Sequence, residues 1–173
     1  SFNEELGEIR LLRNPVIWSG KNQLTSDTII VKNNLETNEL DSLKLINNGF
    51  IISNDTIENF NQIKGKNIYG KFKNNNLDKV LVVGNSETLY FARNEARELV
   101  GVNKAVSSSI LIGLVDNDIN EITFITEPEA TLSPESKIPD NVKKLKGNLP
   151  SGMYILLLKK SDREVEYHRI RFQ

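Results

Sequence analysis

One phrase occurs four times in this chain, and few folds accommodate it. The pattern is apolar-x-x-apolar-x-apolar-x-x-Asn: Leu6, Ile9, Leu11 and Asn14; Leu40, Leu43, Leu45 and Asn48; Leu77, Val80, Val82 and Asn85. A fourth copy, Ile119, Ile122 and Phe124, carries Glu127 at the Asn position. A second phrase interleaves with it: "NQLTSDTII" from Asn22, "NQIKGKNIY" from Asn61, and a worn copy, "VNKAVSSSIL", from Val102. A loose period of this kind marks one supersecondary unit written repeatedly.

Spacing of two places Val80 with Val82, and Ile122 with Phe124, on one face of a strand. Asn-rich stretches such as "KNNLETN" and "KFKNNN" supply the turns, as does "VDND". Each unit therefore reads as a β-hairpin: a strand around Ile29, Ile68 or Ile110, a turn, then the strand of the repeated phrase. One hairpin cannot bury its apolar face alone. Stacked units make an all-β structure of antiparallel hairpins, rolled or sandwiched around an apolar interior. Two short helical segments are expected as exceptions, a turn within Arg93 to Leu99 and a helix opening at Pro139 and Asp140 and stopping at Gly147. Beyond Gly147 the repeat ends, and "GMYILLL" and "VEYHRIRF" read as a closing hairpin.

With 173 residues the chain suits one domain. The formal charge of −1 leaves no electrostatic footprint for nucleic acid or an anionic membrane surface. No apolar run reaches the ~20 residues that span a bilayer, and no targeting peptide opens the sequence. The absence of cysteine excludes disulfides, thiolate metal sites and a cysteine nucleophile. His168 is the only histidine, so neither a histidine-centred triad nor a multi-histidine metal site is available.

The other chemical readings are weak beside structural ones. Glu4/Glu5 and Glu127/Glu129 sit in expected turns rather than as a marked acid–base pair. Asp116 and Asp118 lack the glycine and terminal glutamate of a calcium loop. "GKNIYGKF" lacks the spacing and following helix of a phosphate-binding loop. Ser107, Ser108 and Ser109 enter a strand with no base nearby in sequence. Trp18, Phe50, Tyr90 and Phe91 follow the repeated phrase and read as core filling ahead of a sugar or base platform.

The run "FNQIKGKNIYGKFKNNNLDKVLVVGNSETLYF", followed by "GVNKAVSSSILIGLVDNDINEITFITEPEATLSP", closely resembles the OstA-like proteins of Bacteroidetes-type bacteria. These are relatives of the lipopolysaccharide-transport proteins that bridge the periplasm. The resemblance covers roughly Leu6 to Gly147. It implies a β-jellyroll of the lipopolysaccharide-transport type, open at its ends, over residues 1–147. Residues 148–173 are then an added edge or sorting-like hairpin. The resemblance also implies a periplasmic or envelope location, no catalysis, no cofactor and no metal. It further implies binding of lipid A between two sheets, with edge-strand pairing to other envelope-assembly proteins or to a second copy head to tail. On that view Ile9, Leu11, Leu43, Leu45, Val80, Val82, Ile122 and Phe124 line a slot, faced by Ile29, Ile68 and Ile110. The same residues serve equally in a fully packed core. A structural module binding envelope proteins through its repeats is the alternative.

Overall fold

The computed structural model describes residues 2–134 apart from 4, 20, 57, 58, 116, 117 and 127, together with Ile138 and the backbone of 153–161 and 164–171. Among these residues every regular element is a strand. Five short strands come first: β1 (Phe2–Asn3), β2 (Glu8–Leu12), β3 (Val16–Ser19), β4 (Asn22–Thr25) and β5 (Thr28–Asn33). Four long ones follow, β6 (Leu40–Asn54), β7 (Phe60–Lys73), β8 (Asn76–Arg93) and β9 (Leu99–Val115), then β10 (Asp118–Ile125) and β11 (Glu129–Pro134). All join one antiparallel 11-stranded sheet. A separate pair, β12 (Met153–Ser161) and β13 (Glu164–Arg171), forms the closing hairpin.

The Asn of the repeated phrase does not close a hairpin. It turns a corner instead. Asn47 and Asn48 in β6 have φ of 57° and 52°, Gly84 and Asn85 in β8 have 80° and 49°, and Arg13 and Asn14 between β2 and β3 have 69° and 54°. In the fourth copy Thr126, between β10 and β11, stands at 65°, while Glu127 lies outside the described residues. Asparagine tolerates this left-handed backbone better than other side-chain-bearing residues. Pairing shifts register at the same level, between Ile46 and Gly49, Lys64 and Asn67, and Val83 and Ser86. Each long strand therefore bends once and continues, so its two halves belong to two facing layers.

The first layer holds β2, β5, residues 40–46, residues 67–73, residues 76–83, residues 109–115 and β10. The second holds β3, β4, residues 49–54, residues 60–64, residues 86–93, residues 99–107 and β11. Leu24 and Ile51 of the second layer pack in one apolar cluster with Ile29, Leu43 and Val80 of the first, which fixes the two layers face to face.

Small polar side chains stabilise the corners. The Ser107 hydroxyl lies 2.7 Å from the Ile125 carbonyl and 3.0 Å from that of Thr126, and the Ser26 hydroxyl donates to Thr28 O at 2.7 Å. Asn48 Nδ2 donates to Asp27, and Asn67 Oδ1 accepts from the Asn47 amide at 3.0 Å. The serine and Asn67 bonds serve backbone groups that the interrupted ladder leaves over, and Ser86 Oγ likewise lies 3.4 Å from Ser108 O, which explains why Ser26, Ser86 and Ser107 are buried although polar.

Turn chemistry follows the sequence elsewhere. Asn74 and Asn75, both at positive φ, close the two-residue hairpin between Lys73 and Asn76 as a primed turn requires. Asn34 Oδ1 accepts from the Glu36 and Thr37 amides in the loop joining β5 to β6. The segment expected to hold a helical turn is another such loop. Asn94 Oδ1 accepts from the Glu98 amide at 2.9 Å, and Asn94 O accepts from Arg97 N at 2.9 Å, so the chain reverses directly from β8 into β9. The helix expected from Pro139 to Gly147 falls outside the described residues, as does the side chain of His168. On the outer surface Lys71 and Ser42 donate to Asp41 and hold its carboxyl below the ordinary carboxylate range.

The corner residues give a direct test. Asn85 is exposed, so its conformation rather than its contacts is at stake. Asn85→Ala is expected to cost about 1–2 kcal/mol, because a Cβ-bearing residue other than Asn or Asp pays for left-handed backbone. Asn85→Gly should stay within about 0.5 kcal/mol of the parent. Urea midpoints of the two variants check this, and equal losses would show that the side chain itself matters.

Candidate functional site

Pairing carries apolar residues across the whole first layer in rows. Nearest the corners runs Leu11, Ile29, Leu45, Ile68, Val82, Ile110 and Phe124, each paired with the next. Two residues further along comes Ile9, Val31, Leu43, Gly70, Val80, Ile112 and Ile122. The facing row of the second layer is Ile17, Leu24, Ile51, Ile63, Thr88, Ala105 and Ala130. Period-two alternation puts each row on one face, and the pairing register aligns it.

The two rows of the first layer differ in environment. In the corner row Ile29, Leu45, Val82 and Ile110 are fully buried, and Ile68 is 1 % exposed. Here the layers meet at the bend, and the interior is solid. Farther from the corners the layers separate and leave a cavity of about 550 Å³ open to solvent. Val31, Leu43, Val80 and Ile112 line it from the first layer, with Leu40, Phe72, Leu77, Leu114 and Ile119 toward its edge. Ile17, Leu24, Ile51 and Ile63 line it from the second. The volume lies within the ordinary range for ligand pockets, roughly 300–1,000 Å³. A cavity so walled can hold an alkyl chain, each methylene of which gains about 0.8 kcal/mol on leaving water.

The residues expected to line a slot therefore separate into groups. Leu43 and Val80 border the cavity. Ile29, Leu45, Ile68, Val82 and Ile110 form the packed wedge behind it. Leu11, Ile122 and Phe124 are partly buried against the same cluster toward the outer strands, and Ile9 is 37 % exposed on β2. The facing wall of Ile17, Leu24, Ile51 and Ile63 was not among the expected lining residues. For Ile17 and Ile51 the signal lies in "VIW" and "FII", one residue past Asn14 and Asn48, and for Leu24 and Ile63 in the shared Asn-Gln-apolar start of the second phrase.

The far end of the second layer is polar. Asn22, Ser53, Asn61 and Tyr90 lie on its inner side beyond the apolar row, with Lys21, Asp55 and Arg97 on the adjoining loops and Arg93 at the end of β8. Arg93 clasps Asp55 through Nη2–Oδ2 at 2.7 Å and Nε–Oδ1 at 3.0 Å, and its Nη1 donates to the Arg97 carbonyl at 2.8 Å. Asn61 Oδ1 accepts from the Phe91 amide at 2.9 Å. Trp18 stands at the edge of the cavity, 39 % exposed, with Tyr90 farther in. Phe50 and Phe91 belong instead to a second cluster with Ile52, Leu89 and Val102 on the opposite face of this layer, where Ile138 packs against them. Core filling thus accounts for two of the four aromatics.

Among the described residues no group of His, Cys, Asp and Glu is placed to hold a metal ion, and no helix is long and apolar enough to cross a membrane.

A solved structure shares the architecture. The chain superposes with a TM-score of 0.57 on the crystal structure of LptH, the LptA-homologous periplasmic component of the conserved lipopolysaccharide transport device from Pseudomonas aeruginosa. The match covers 78 % of this chain and 90 % of that one at 10 % sequence identity. At that identity the likeness establishes the fold: an all-β jellyroll of the lipopolysaccharide-transport type, open at its ends. No protein-family model and no curated protein matches the chain.

Proposed function

We propose that the protein is a non-catalytic carrier of lipopolysaccharide or a similar lipid A-like amphiphile, working in the periplasm or envelope in outer-membrane assembly, and that it belongs with the OstA-like proteins of Bacteroidetes type. The observation that carries this reading is the cavity: apolar on both walls, open to solvent, and set between the two layers of a jellyroll shared with a lipopolysaccharide-transport component. The residues nominated from the sequence enter this reading in two roles. Leu43 and Val80 contact the acyl chain, while Ile29, Leu45, Ile68, Val82 and Ile110 keep the layers joined behind it. Leu11, Ile122, Phe124 and Ile9 extend the apolar surface toward the edge strands.

Partner pairing has its own support. Leu12, Val16 and Trp18 near one edge, and Ile125 and Leu132 near the other, are large apolar side chains left exposed. Unpaired strand edges are templates for β-augmentation, by other envelope proteins or by a second copy head to tail. The hairpin within residues 148–173 is read as an added edge or sorting-like segment beside the jellyroll of 1–147. The same exposed edges favour the second reading, an interaction module for envelope proteins whose cavity plays no part.

Filling the cavity separates the two readings. Ile63→Trp adds volume at a half-buried lining position and is expected to keep a cooperative melt while weakening lipid A binding at least about tenfold. Native mass spectrometry with added lipid A reads the effect. Unchanged lipid binding in a folded Ile63→Trp protein, or no lipid binding by the parent, would remove the carrier role and leave the interaction module.

A further inference from the structure

Along the second layer the apolar wall of the cavity gives way to a row of uncharged hydrogen-bonding groups. Two residues beyond Leu24, Ile51, Ile63 and Thr88, on the same face of each strand, stand Asn22, Ser53, Asn61 and Tyr90. Pairing aligns them, with Asn22 opposite Ser53, Ser53 opposite Asn61, and Tyr90 on the next strand. All four border the cavity, about 7 Å past the apolar row.

Most of their hydrogen-bonding capacity is unspent. Asn22 is only 9 % exposed, yet its amide finds no partner among the described residues, and neither do the hydroxyls of Ser53 and Tyr90. Asn61 commits Oδ1 to the Phe91 amide, which leaves its Nδ2 to donate. Asn54, beside Ser53 and also bordering the cavity, has a buried Nδ2 with no hydrogen-bond partner. Buried polar groups left unpaired cost stability, and the fold itself supplies no reason to keep several together. The Arg93 guanidinium at the same end is already held by Asp55.

We infer that this row is a recognition site for an acyl carbonyl: it binds the ester or amide oxygen that joins a fatty-acyl chain to its head, while the chain lies on the apolar rows. The inference rests on the carrier reading above and names the part of the ligand that is read, the linkage rather than the head or the chain. The spare capacity of Asn54 and Asn61 is N–H, so its complement is an oxygen acceptor. An alkyl ether of equal length covers the same apolar rows and leaves these donors without a carbonyl, the kind of mismatch that polar sites reject most strongly.

The test compares 1-dodecanoylglycerol with 1-O-dodecylglycerol, which share head and chain length and differ in the carbonyl. Each is titrated below its aggregation limit into the whole chain, and binding is read from the fluorescence of Trp18, the only tryptophan and a residue at the cavity edge. The ester should bind about tenfold more tightly than the ether. In an Asn22→Leu/Tyr90→Phe variant the two should bind within about threefold of each other, with the ether affinity unmoved or improved. Asn22→Leu alone should not lower the melting temperature, because it replaces an unpartnered amide. A fall of more than about 4 °C would give Asn22 a structural bond and overturn the site. Equal affinities in the parent, or a tenfold preference retained in the double variant, would overturn the carbonyl site and leave the cavity as a plain apolar one. Failure of both glycerol lipids to bind would remove the carrier reading, and this site with it.

Discussion

Val82→Asp should abolish cooperative folding of the jellyroll. Val82 has no exposed surface and sits at the centre of the corner row, paired with Ile68 on one side and Ile110 on the other. A carboxylate there meets only apolar neighbours. An uncompensated buried charge costs about 3–5 kcal/mol, to which the lost burial of the valine adds about 1.5–3 kcal/mol. A single domain has about 5–15 kcal/mol of stability in total, so the variant is left near or below its threshold. The control is Leu111→Asp. Leu111 follows Ile110 in β9, points out of the other face and is 37 % exposed, so the same charge there should cost no more than about 1 kcal/mol. Urea unfolding followed by far-ultraviolet circular dichroism compares the two. A cooperative transition near that of the parent for Val82→Asp would mean that water reaches the corner row and that the wedge is not packed.

The second large effect is expected at Gly65. A Cβ built there would lie 2.4 Å from Val82 Cγ1, far inside contact distance. The glycine is present for space, since positive φ is recorded at Gly7 and Gly84 and not at Gly65. Valine is stiff about its first side-chain torsion, and this one is walled in, so the methyl cannot swing aside. Gly65→Ala is therefore expected to destabilise by about 1–3 kcal/mol through overpacking. Val82→Ala alone removes buried methyl groups and is destabilising too. Combined, the new methyl occupies the space that Cγ1 vacates. The double variant should be more stable than the sum of the single losses predicts by about 1 kcal/mol or more, a coupling that a double-mutant cycle measures directly. Additivity within about 0.5 kcal/mol would show that the strands move apart at the corner rather than press together.

The sequence disclosed one layer of this fold far better than the other. In the first layer the repeated phrase alternates cleanly, and its central copies mark buried positions, Leu43, Leu45, Val80 and Val82, whereas Leu6 and Ile9 of the first copy are exposed. The Asn-rich hairpin turns were legible for the same reason, because positive φ favours that side chain. In the second layer alternation fails as a signal. Its inner face mixes Ile51 and Ile63 with Ser53, Asn61, Thr88 and Ala105, whereas its other face buries Phe50, Ile52, Leu89 and Phe91 beside Gln23 and Gln62. A strand apolar on both sides and polar at intervals carries no period of two. Asn48 and Asn85 compounded the difficulty, since a left-handed asparagine looks the same in a sequence whether the chain reverses or merely bends. The facing wall of the cavity was hidden by that ambiguity.

The corners also govern how the molecule can change shape. Because β6, β7, β8 and β9 run through both layers, the layers share their covalent chain and cannot part as two separate plates. The available motion is rotation about the line of left-handed residues, where the ladder is already interrupted and few backbone bonds oppose it. The second layer then behaves as a lever. About five residues separate its loop end from the bend, an arm of roughly 17 Å, so a turn of about 10° carries the rim through roughly 3 Å. The corner row, lying at the pivot, hardly moves. Cavity width can therefore vary severalfold more than core packing does, without loosening the part of the protein that holds it folded.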